Sequence, residues 1–445
     1  MCKINLIPLL ALSLLVSACG GGGGSSSPKP KSSVAKVSSS SKVSSSVTSS
    51  SITPSSSAPA SATSSAAISS ISSSSVYSAN VNHLRDLATF PIGVAVSNTD
   101  SPSFNILTNA SEQAVAEKHF SEMTAGNIMK VKSLHPFNNG NASDFTFTNA
   151  DAFVEYAKSN NMTVHGHTLI WHSGYQVPEF IKTWNGTSSN FLTMIEAHVT
   201  TIVDHFGASG AVKSWDVVNE ALNDGVGNPA VFGFRTDSAF YTKSGNSAEY
   251  IEVAFKAARL ADPTATLFYN DYNIDQNNSK TTKLIEMITD FQAREIPIDG
   301  IGFQMHVFMN YPSIDDIKSA MQKVVEKGLK VKITELDVSV NNPYSNWPDS
   351  KISTFTESVA LDQKKRYCEI VAAYLEVVPE DKRAGITVWG TTDANSWLDG
   401  PEGLYKNQFN NEKIAWPLLF DNQYNDKPAL RGFADGLTET ACTNL

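Results

Sequence analysis

Short apolar segments alternate with longer amphipathic segments along residues 80–445. The apolar segments are rich in β-branched and aromatic residues, as buried strands are. We expect strands at 91–96, 127–131, 163–171, 213–219, 266–270, 298–305, 330–337 and 385–391. Eight strands alternating with helices predict an α/β fold with a parallel sheet, the (β/α)8 TIM barrel. An open, doubly wound sheet is the alternative, but no glycine-rich phosphate turn follows the first strand.

Residues 1–18 are predicted to be a signal peptide, in which the basic residue Lys3 is followed by an apolar run from Leu6 to Val16. This order of residues is typical of a secretory signal peptide, and the apolar run is too short for a stable membrane span. The letters VSAC at 16–19 resemble a bacterial lipobox, and the resemblance implies that Cys19 is lipidated in an exported, membrane-anchored lipoprotein. Gly20 favours the outer membrane or cell surface by the same resemblance. An ordinary signal peptide cut near Ala18 is the alternative.

Residues 19–79 are predicted to be a disordered linker. Of the 54 residues from 25 to 78, 28 are serine and none is Asp or Glu. Such a segment buries too little apolar surface to offset the entropy lost on ordering. One folded domain, 80–445, remains, and we expect it to be a monomer. Its two cysteines, Cys368 and Cys442, either form a disulfide or stay as separate buried thiols.

Charge and strand ends narrow the possible functions. The net charge of −10 argues against a nucleic acid partner, which requires a basic surface. Glu220 follows the predicted fourth strand and Glu335 lies at the end of the seventh. Because strand ends meet at one mouth of a barrel, both carboxylates should face one cavity. Glycoside hydrolysis requires such a pair, one group to protonate the leaving oxygen and the other to attack the sugar.

Five motifs in residues 80–445 resemble glycoside hydrolase family 10, the endo-β-1,4-xylanases. They are HGHTLIWHS, WDVVNEAL, GIGFQMH, ITELDV and VWGTTDANSWL, in this order along the chain. The resemblance implies a catalytic domain that hydrolyses β-1,4-xylosidic bonds in xylan, endo-acting and retaining, without a metal or other cofactor. Glu220 would be the acid/base, with a raised pKa in the free enzyme. Glu335 would be the nucleophile of a double displacement, with the carboxyls about 5–5.5 Å apart.

The resemblance also implies roles for neighbouring residues. Asn219 would hydrogen-bond the sugar 2-hydroxyl, and His306 would orient Glu335. Aromatic rings bind the flat C–H faces of sugars, while polar side chains fix their orientation. The implied substrate-binding residues are Asn127, Lys130, His167, Trp171, Tyr175, Gln176, Gln304, Trp389 and Trp397.

Three departures from the family pattern stand out. PENEMKW reads AGNIMKV, so Gly126 replaces a glutamate and Val131 a tryptophan. Arg-Gly-His reads HGH at 165–167, and HSQxPxW becomes HSGYQVPEF, with Gly174 and Tyr175 inserted. Gly126 cannot accept a hydrogen bond from the sugar two places back from the cleaved bond. We therefore expect a preference for polymer over short oligosaccharides, while Tyr175 either stacks on the sugar or crowds it.

Other functions fit parts of the sequence. An amidohydrolase-like metal site could use the pair His165 and His167, although those barrels carry the pair on the first strand. Its further ligands would be Glu335, His306 and Asp393. A carbohydrate-binding lipoprotein without catalysis is a second alternative. A cellulase or mannanase is a third, because neighbouring barrel families also end the fourth strand with Asn-Glu.

Overall fold

The computed structural model describes residues 81–98, 101–224, 233–342, 351–399 and 412–443. Within these ranges the strands are β1 Ile92–Val96, β2 Glu122–Ala125, β3 Thr163–Trp171, β4 Val212–Asn219, β5 Thr266–Asp271, β6 Gly300–Phe303, β7 His306–Phe308, β8 Lys330–Ser339 and β9 Arg383–Val388. The predicted signal peptide, the lipidated Cys19 and the linker to residue 79 lie outside the described residues.

The α-helices surround these strands. They are α1 Ala110–His119, α2 Val131–Leu134, α3 Thr148–Ser159, α4 Glu179–Lys182, α5 Ser188–Gly207, α6 Ala239–Lys243, α7 Glu249–Ala261, α8 Ser279–Ala293, α9 Ile314–Glu326, α10 Glu357–Val377 and α11 Pro428–Leu437. In the part of the chain that the structure describes, no helix combines the length and apolar character needed to span a membrane.

Eight parallel strands close into a barrel. Each of β1 to β5 pairs with the next strand, β6 pairs with β8, β8 with β9, and β9 with β1. The short β7 lies outside this ring and pairs with the end of β8, where His306 is opposite Asp337. The predicted (β/α)8 TIM barrel is therefore confirmed.

Helix α5 illustrates how the sequence forms the outer layer. The Thr187 hydroxyl accepts a hydrogen bond from the Asn190 N–H and caps the start of the helix. Phe191, Ile195 and Ile202, spaced by four and seven residues, are fully buried on one face. These side chains belong to one continuous apolar core, which orients the strands and the loops that follow them.

The second strand lies upstream of its predicted position at 127–131. It spans Glu122–Ala125, and residues 127–130 form a turn that leads into α2, which begins at Val131. The prediction was wrong because the apolar residues of this segment, Ile128, Met129 and Val131, are buried by the turn and helix instead of by a strand. Strand β2 begins with a charge, since Glu122 forms a buried ion pair with Lys332 of β8. Asn127 and Lys130 therefore follow the strand rather than end it.

A disulfide settles the question of the two cysteines in the folded domain. Cys368 of α10 is bonded to Cys442, 74 residues further along the chain. The bond ties the segment after α11 to α10, and the two helices pack against each other.

Candidate active site

Both glutamates lie at the mouth formed by the C-terminal ends of the strands. Glu220 directly follows β4, whereas Glu335 lies in the middle of β8, which continues to Ser339. The two carboxylates belong to one hydrogen-bond network. Asn270 donates to Glu335 Oε1 at 2.8 Å. The Asn219 amide oxygen lies 3.0 Å from Asn270 Nδ2 and 3.2 Å from Gln304 Nε2, which donates to Glu220 Oε1 at 2.9 Å.

Glu220 is surrounded by hydrogen-bond donors. The Trp171 indole donates to its Oε2 at 2.9 Å, and His172 Nδ1 lies 4.0 Å from the same oxygen. Burial would raise the pKa of Glu220, but His172, the hydrogen bonds from Gln304 and Trp171, and the charge of Arg235 lower it below its ordinary value. The predicted raised pKa in the free protein is thus wrong, because the sequence did not show how many donors converge on this carboxylate.

Glu335 has a different environment. His306 Nε2 lies 3.3 Å from its Oε2, and His306 Nδ1 lies 2.9 Å from Asp337 Oδ2. The Trp397 indole donates to the same Asp337 oxygen at 2.9 Å. Burial lowers the pKa of His306, but Asp337 and then Glu335 raise it to about 10. His306 is therefore a cation held between two carboxylates at neutral pH.

The tryptophans after β9 stand close to the histidines of the mouth. The Trp389 ring lies edge-on to His167, with ring centres 5.4 Å apart, and 6.5 Å from His306. The Trp397 ring lies 4.9 Å from His306. Both indoles thus border the group that contacts Glu335.

The polar residues predicted to bind a second sugar also lie together. Lys130 Nζ and Gln176 Nε2 each donate to Asn127 Oδ1 at 3.2 Å. Lys130 Nζ also stands over the Trp171 ring, 4.7 Å from its centre. Tyr175 is 44% exposed and lies edge-on to Trp171 at 5.6 Å. This cluster follows β2 and β3 and continues the mouth beyond Glu220.

The residues of the alternative metal site are engaged elsewhere. His165 Nε2 and His167 Nδ1 lie 3.1 and 2.9 Å from the same Asp216 oxygen. Asp393 forms a buried ion pair with Lys427 at 2.8 Å. Across the described ranges, no three His, Cys, Asp or Glu side chains are arranged to hold a metal ion.

Sequence reasoning missed several residues that contact the predicted ones. Asn270 is the next-to-last residue of β5 and is paired in register with Asn219 at the end of β4, and this repeated asparagine was a usable signal. Asp337 follows Glu335 by two positions on β8, so strand alternation places both side chains on the same side. Asp216 lies three positions before Asn219 on β4, across an irregularity in the pairing between Asp216 and Val218, so alternation alone does not place it. Arg235 gave no local signal, because it lies 15 residues beyond Glu220 along the chain.

A model of glycosyl hydrolase family 10 matches residues 82–436. Endo-beta-1,4-xylanase Xyn10C of Cellvibrio japonicus is 63% identical over 369 residues, covering 82% of this chain and 59% of that protein. Endo-1,4-beta-xylanase A of Cellvibrio japonicus (strain Ueda107) is 45% identical over 371 residues, covering 81% and 57%. The chain thus spans less than two-thirds of the length of these curated relatives.

Solved structures agree with this match. Native xylanase 10C from Cellvibrio japonicus has a TM-score of 0.79 and 64% identity, covering 83% of this chain and 75% of that one. A mutant of xylanase 10C in complex with xylopentaose also has a TM-score of 0.79, with 63% identity over 83% and 71% of the two chains. From the family match, these identities and the barrel with its motifs at one mouth, we conclude that the chain belongs to glycosyl hydrolase family 10.

Proposed function

We propose that the domain cuts β-1,4-xylosidic bonds within xylan and retains the anomeric configuration. One observation carries the proposal: Glu220 and Glu335 share a hydrogen-bond network but differ in their immediate partners. Retaining glycosidases need two carboxyl groups that work in different protonation states. The names of the related xylanases, and the xylopentaose bound to one of them, support xylan as the substrate class.

In the first step, Glu335 attacks the anomeric carbon while Glu220 gives its proton to the leaving oxygen. The His306 cation, held by Asp337, orients the attacking carboxylate. Asn219 lies between the two carboxylates and is placed to bind the sugar 2-hydroxyl. In the second step, Glu220 takes a proton from a water molecule, whose oxygen displaces Glu335 from the sugar. One water is consumed for each bond cleaved.

Substrate binding must raise the proton affinity of Glu220 before the first step. In the free protein, Trp171 and Gln304 both donate to its carboxylate. A sugar in the mouth would draw these donors to its hydroxyl groups and exclude water. Fewer donors and deeper burial both favour the protonated acid. Glu220 would thus become a proton donor only when substrate is present.

The test of this function is the product pattern from xylan, cellulose and mannan. We expect xylan to be cut internally, with the β-anomer formed first, as proton NMR would show. Glu335→Ala should fold normally and lose several orders of magnitude in turnover on xylan. Near-normal activity of that variant would end the assignment of the nucleophile. Faster release of sugars from cellulose or mannan than from xylan would end the assignment of the substrate.

We also propose a preference for long xylan chains, supported by Gly126. In the resembled family a carboxylate stands at this position beside Asn127 and Lys130. A Cβ fits here, because among the described residues it would meet only the carbonyl group of Val96, with the oxygen at 3.4 Å. A hydrogen bond to a charged group is worth about 1.5–3 kcal/mol, or about 10- to 100-fold in binding. Long chains offset this loss through contacts elsewhere in the cleft.

Gly126→Glu should therefore raise kcat/KM on a short xylo-oligosaccharide by about 10-fold or more and change activity on polymeric xylan much less. Gly126→Ala is the matched control, since it adds the Cβ without an acceptor. Equal gains on both substrates, or a gain in the alanine variant, would remove the argument about chain length.

Finally, we propose that the protein is exported and held at the outer membrane by a lipid on Cys19, with the domain acting as a monomer. The support is the lipobox-like sequence and the serine-rich tether. Several acyl chains on one residue would anchor firmly, whereas one anchors only marginally. A Cys19→Ala variant should appear in the soluble fraction. If it still sediments with the outer membrane, the lipid is not the anchor.

A further inference from the structure

The backbone of Glu220 adopts a conformation that few residues other than glycine adopt. Its φ is +56°, in the left-handed region. Both of its peptide groups are held in place. The Glu220 N–H donates to the Asn270 carbonyl at 2.9 Å, and the Glu220 carbonyl accepts from Arg235 Nε at 2.9 Å. Since the backbone sets the direction of Cβ, these two bonds determine where the carboxyl group points.

Arg235 is itself fixed from several sides. Its backbone N–H donates to the Ala221 carbonyl at 2.8 Å, and the adjacent Phe234 forms an antiparallel bridge with Leu222. Its guanidinium donates to the Tyr272 hydroxyl at 2.6 Å. The side chain is only 12% exposed. Arg235 is thus a rigid support rather than a mobile surface residue.

Three charged side chains, Asp224, Lys280 and Asp271, form a linked set beside Arg235. Asp224 Oδ2 lies 3.6 Å from the guanidinium, and Asp224 Oδ1 lies 2.9 Å from Lys280 Nζ. Lys280 also contacts Asp271 at 2.7 Å. Glu220 faces this set through its carbonyl oxygen, and it is a further negative group beside the Arg235 cation. A positive charge near a carboxyl group favours its ionised form.

We propose that Arg235 is a positioning residue for proton transfer by Glu220: it holds the left-handed peptide that directs the carboxyl group toward the leaving oxygen. The inference rests on the proposed acid/base role of Glu220. Arg235 touches no reacting atom in this proposal. Its effect is confined to the step that needs a proton donor, and attack by Glu335 does not depend on it.

The experiment compares two substrates with wild type and Arg235→Gln. Xylan needs a proton on the leaving oxygen, whereas a dinitrophenyl xylobioside has a leaving group that departs without one. We expect a loss of about 10- to 100-fold on xylan, since general acid catalysis contributes 10²–10⁴-fold, and a loss of less than about 3-fold in formation of the glycosyl-enzyme from the dinitrophenyl substrate. The alkaline limb of kcat/KM should move to higher pH, because a cation near the acid is lost.

Two further variants distinguish the effect of the Arg235 charge from the effect of its hydrogen-bond geometry and from a general loss of stability. Arg235→Lys keeps the cation but loses the planar donor, so it should keep the wild-type alkaline limb and still lose activity on xylan. Arg383→Gln is the matched control, because Arg383 also donates to carbonyl groups, those of Val378 and Leu375, but at the start of β9. It should lower thermal stability without changing the ratio of the two activities.

Equal losses on the two substrates with an unmoved alkaline limb would overturn the positioning role. Glu220→Gln is measured in parallel, and its activity on xylan should also fall more than its activity on the dinitrophenyl substrate, by a larger factor than in Arg235→Gln. If Glu220→Gln shows this difference and neither Arg235 variant does, the inference fails alone. If Glu220→Gln loses both activities equally, the acid/base assignment fails and the role of Arg235 falls with it.

Discussion

Glu112 of α1 should make the folded domain less stable as the pH rises toward neutrality. Its side chain is completely buried, and Thr391 donates to its Oε1 at 3.0 Å. The other carboxyl oxygen is buried without a hydrogen-bond partner. Burial raises the pKa of Glu112 from 4.5 to about 7, against a smaller opposite effect of the hydrogen bond from Thr391. The folded chain therefore retains a proton that the unfolded chain releases.

The size and sign follow from this difference. Below pH 4.5 the group is protonated in both states and does not affect stability through its charge. Between pH 4.5 and about 7 the unfolded chain ionises first, so the free energy of unfolding falls as the pH rises. Each unit of pKa difference corresponds to about 1.4 kcal/mol, so the full loss above pH 7 is about 3 kcal/mol.

Glu112→Gln removes the ionisation while keeping an oxygen that accepts from Thr391. We expect the variant to be more stable than wild type by about 2–3 kcal/mol at pH 8 and nearly equal to it at pH 4. Urea unfolding of both proteins at the two pH values measures this difference. Other buried acids titrate in both proteins, and their effects cancel in the comparison. Glu117→Gln, on the exposed face of the same helix, is the control.

A Glu112→Gln variant that is destabilised equally at pH 4 and pH 8 would refute the argument, because packing and not ionisation would then determine the change in stability. Thr391 follows Trp389 by two residues and belongs to the loop that carries Trp397. Hydrogen exchange should therefore show the gain at pH 8 as slower opening of this loop as well as of α1.

Three further predictions concern separate parts of the domain. Cys368→Ser, or reduction of its bond to Cys442, should lower the free energy of unfolding by about 2–5 kcal/mol in urea titrations, and an unchanged midpoint would contradict this. Lys332→Met should lower the free energy of unfolding by about 3–5 kcal/mol, because Glu122 is left buried without its cation. Adding Glu122→Leu should recover most of this stability. If the double variant recovers none, packing and not the unpaired charge causes the loss. For Glu220, the pH profile of kcat/KM reports the free protein, and that of kcat reports the complex with substrate. The alkaline limb of kcat/KM should therefore lie at lower pH than that of kcat. Alkaline limbs at the same pH would contradict the proposed rise in the proton affinity of Glu220 on substrate binding.

The barrel was predictable because seven of its eight strands overlap the segments predicted from the sequence along most of their length. The exception, β2, shows where this approach fails. Its inward residues include Glu122, and a buried charge is read as a surface position unless its partner is known. That partner, Lys332, lies 210 residues further along the chain. Only the closed barrel brings the two strands to a common interior.

The pair of carboxylates was also predictable, since strand ends of a barrel share one mouth. The pKa of Glu220 was not predictable, because it depends on the number of donors around the carboxylate. Trp171 was predicted to line a sugar pocket, and the hydrogen bond from its indole N–H to Glu220 was not foreseen. Arg235 reaches the same residue from beyond residues 225–232. Long-range contacts of this kind decide proton affinity and leave no periodic pattern in the sequence.

The missed partners nevertheless follow one physical rule. A polar side chain that points into a barrel has no water to satisfy it, so another side chain must do so. Asp216 hydrogen-bonds His167 of the neighbouring strand and lies 3.1 Å from His165 Nε2, and Asp337 hydrogen-bonds His306 and Trp397. Each of these acids lies on the same strand as a predicted catalytic group. An acid near a catalytic glutamate on one strand, facing histidines from adjacent strands, is therefore a pattern that could be sought directly in sequence.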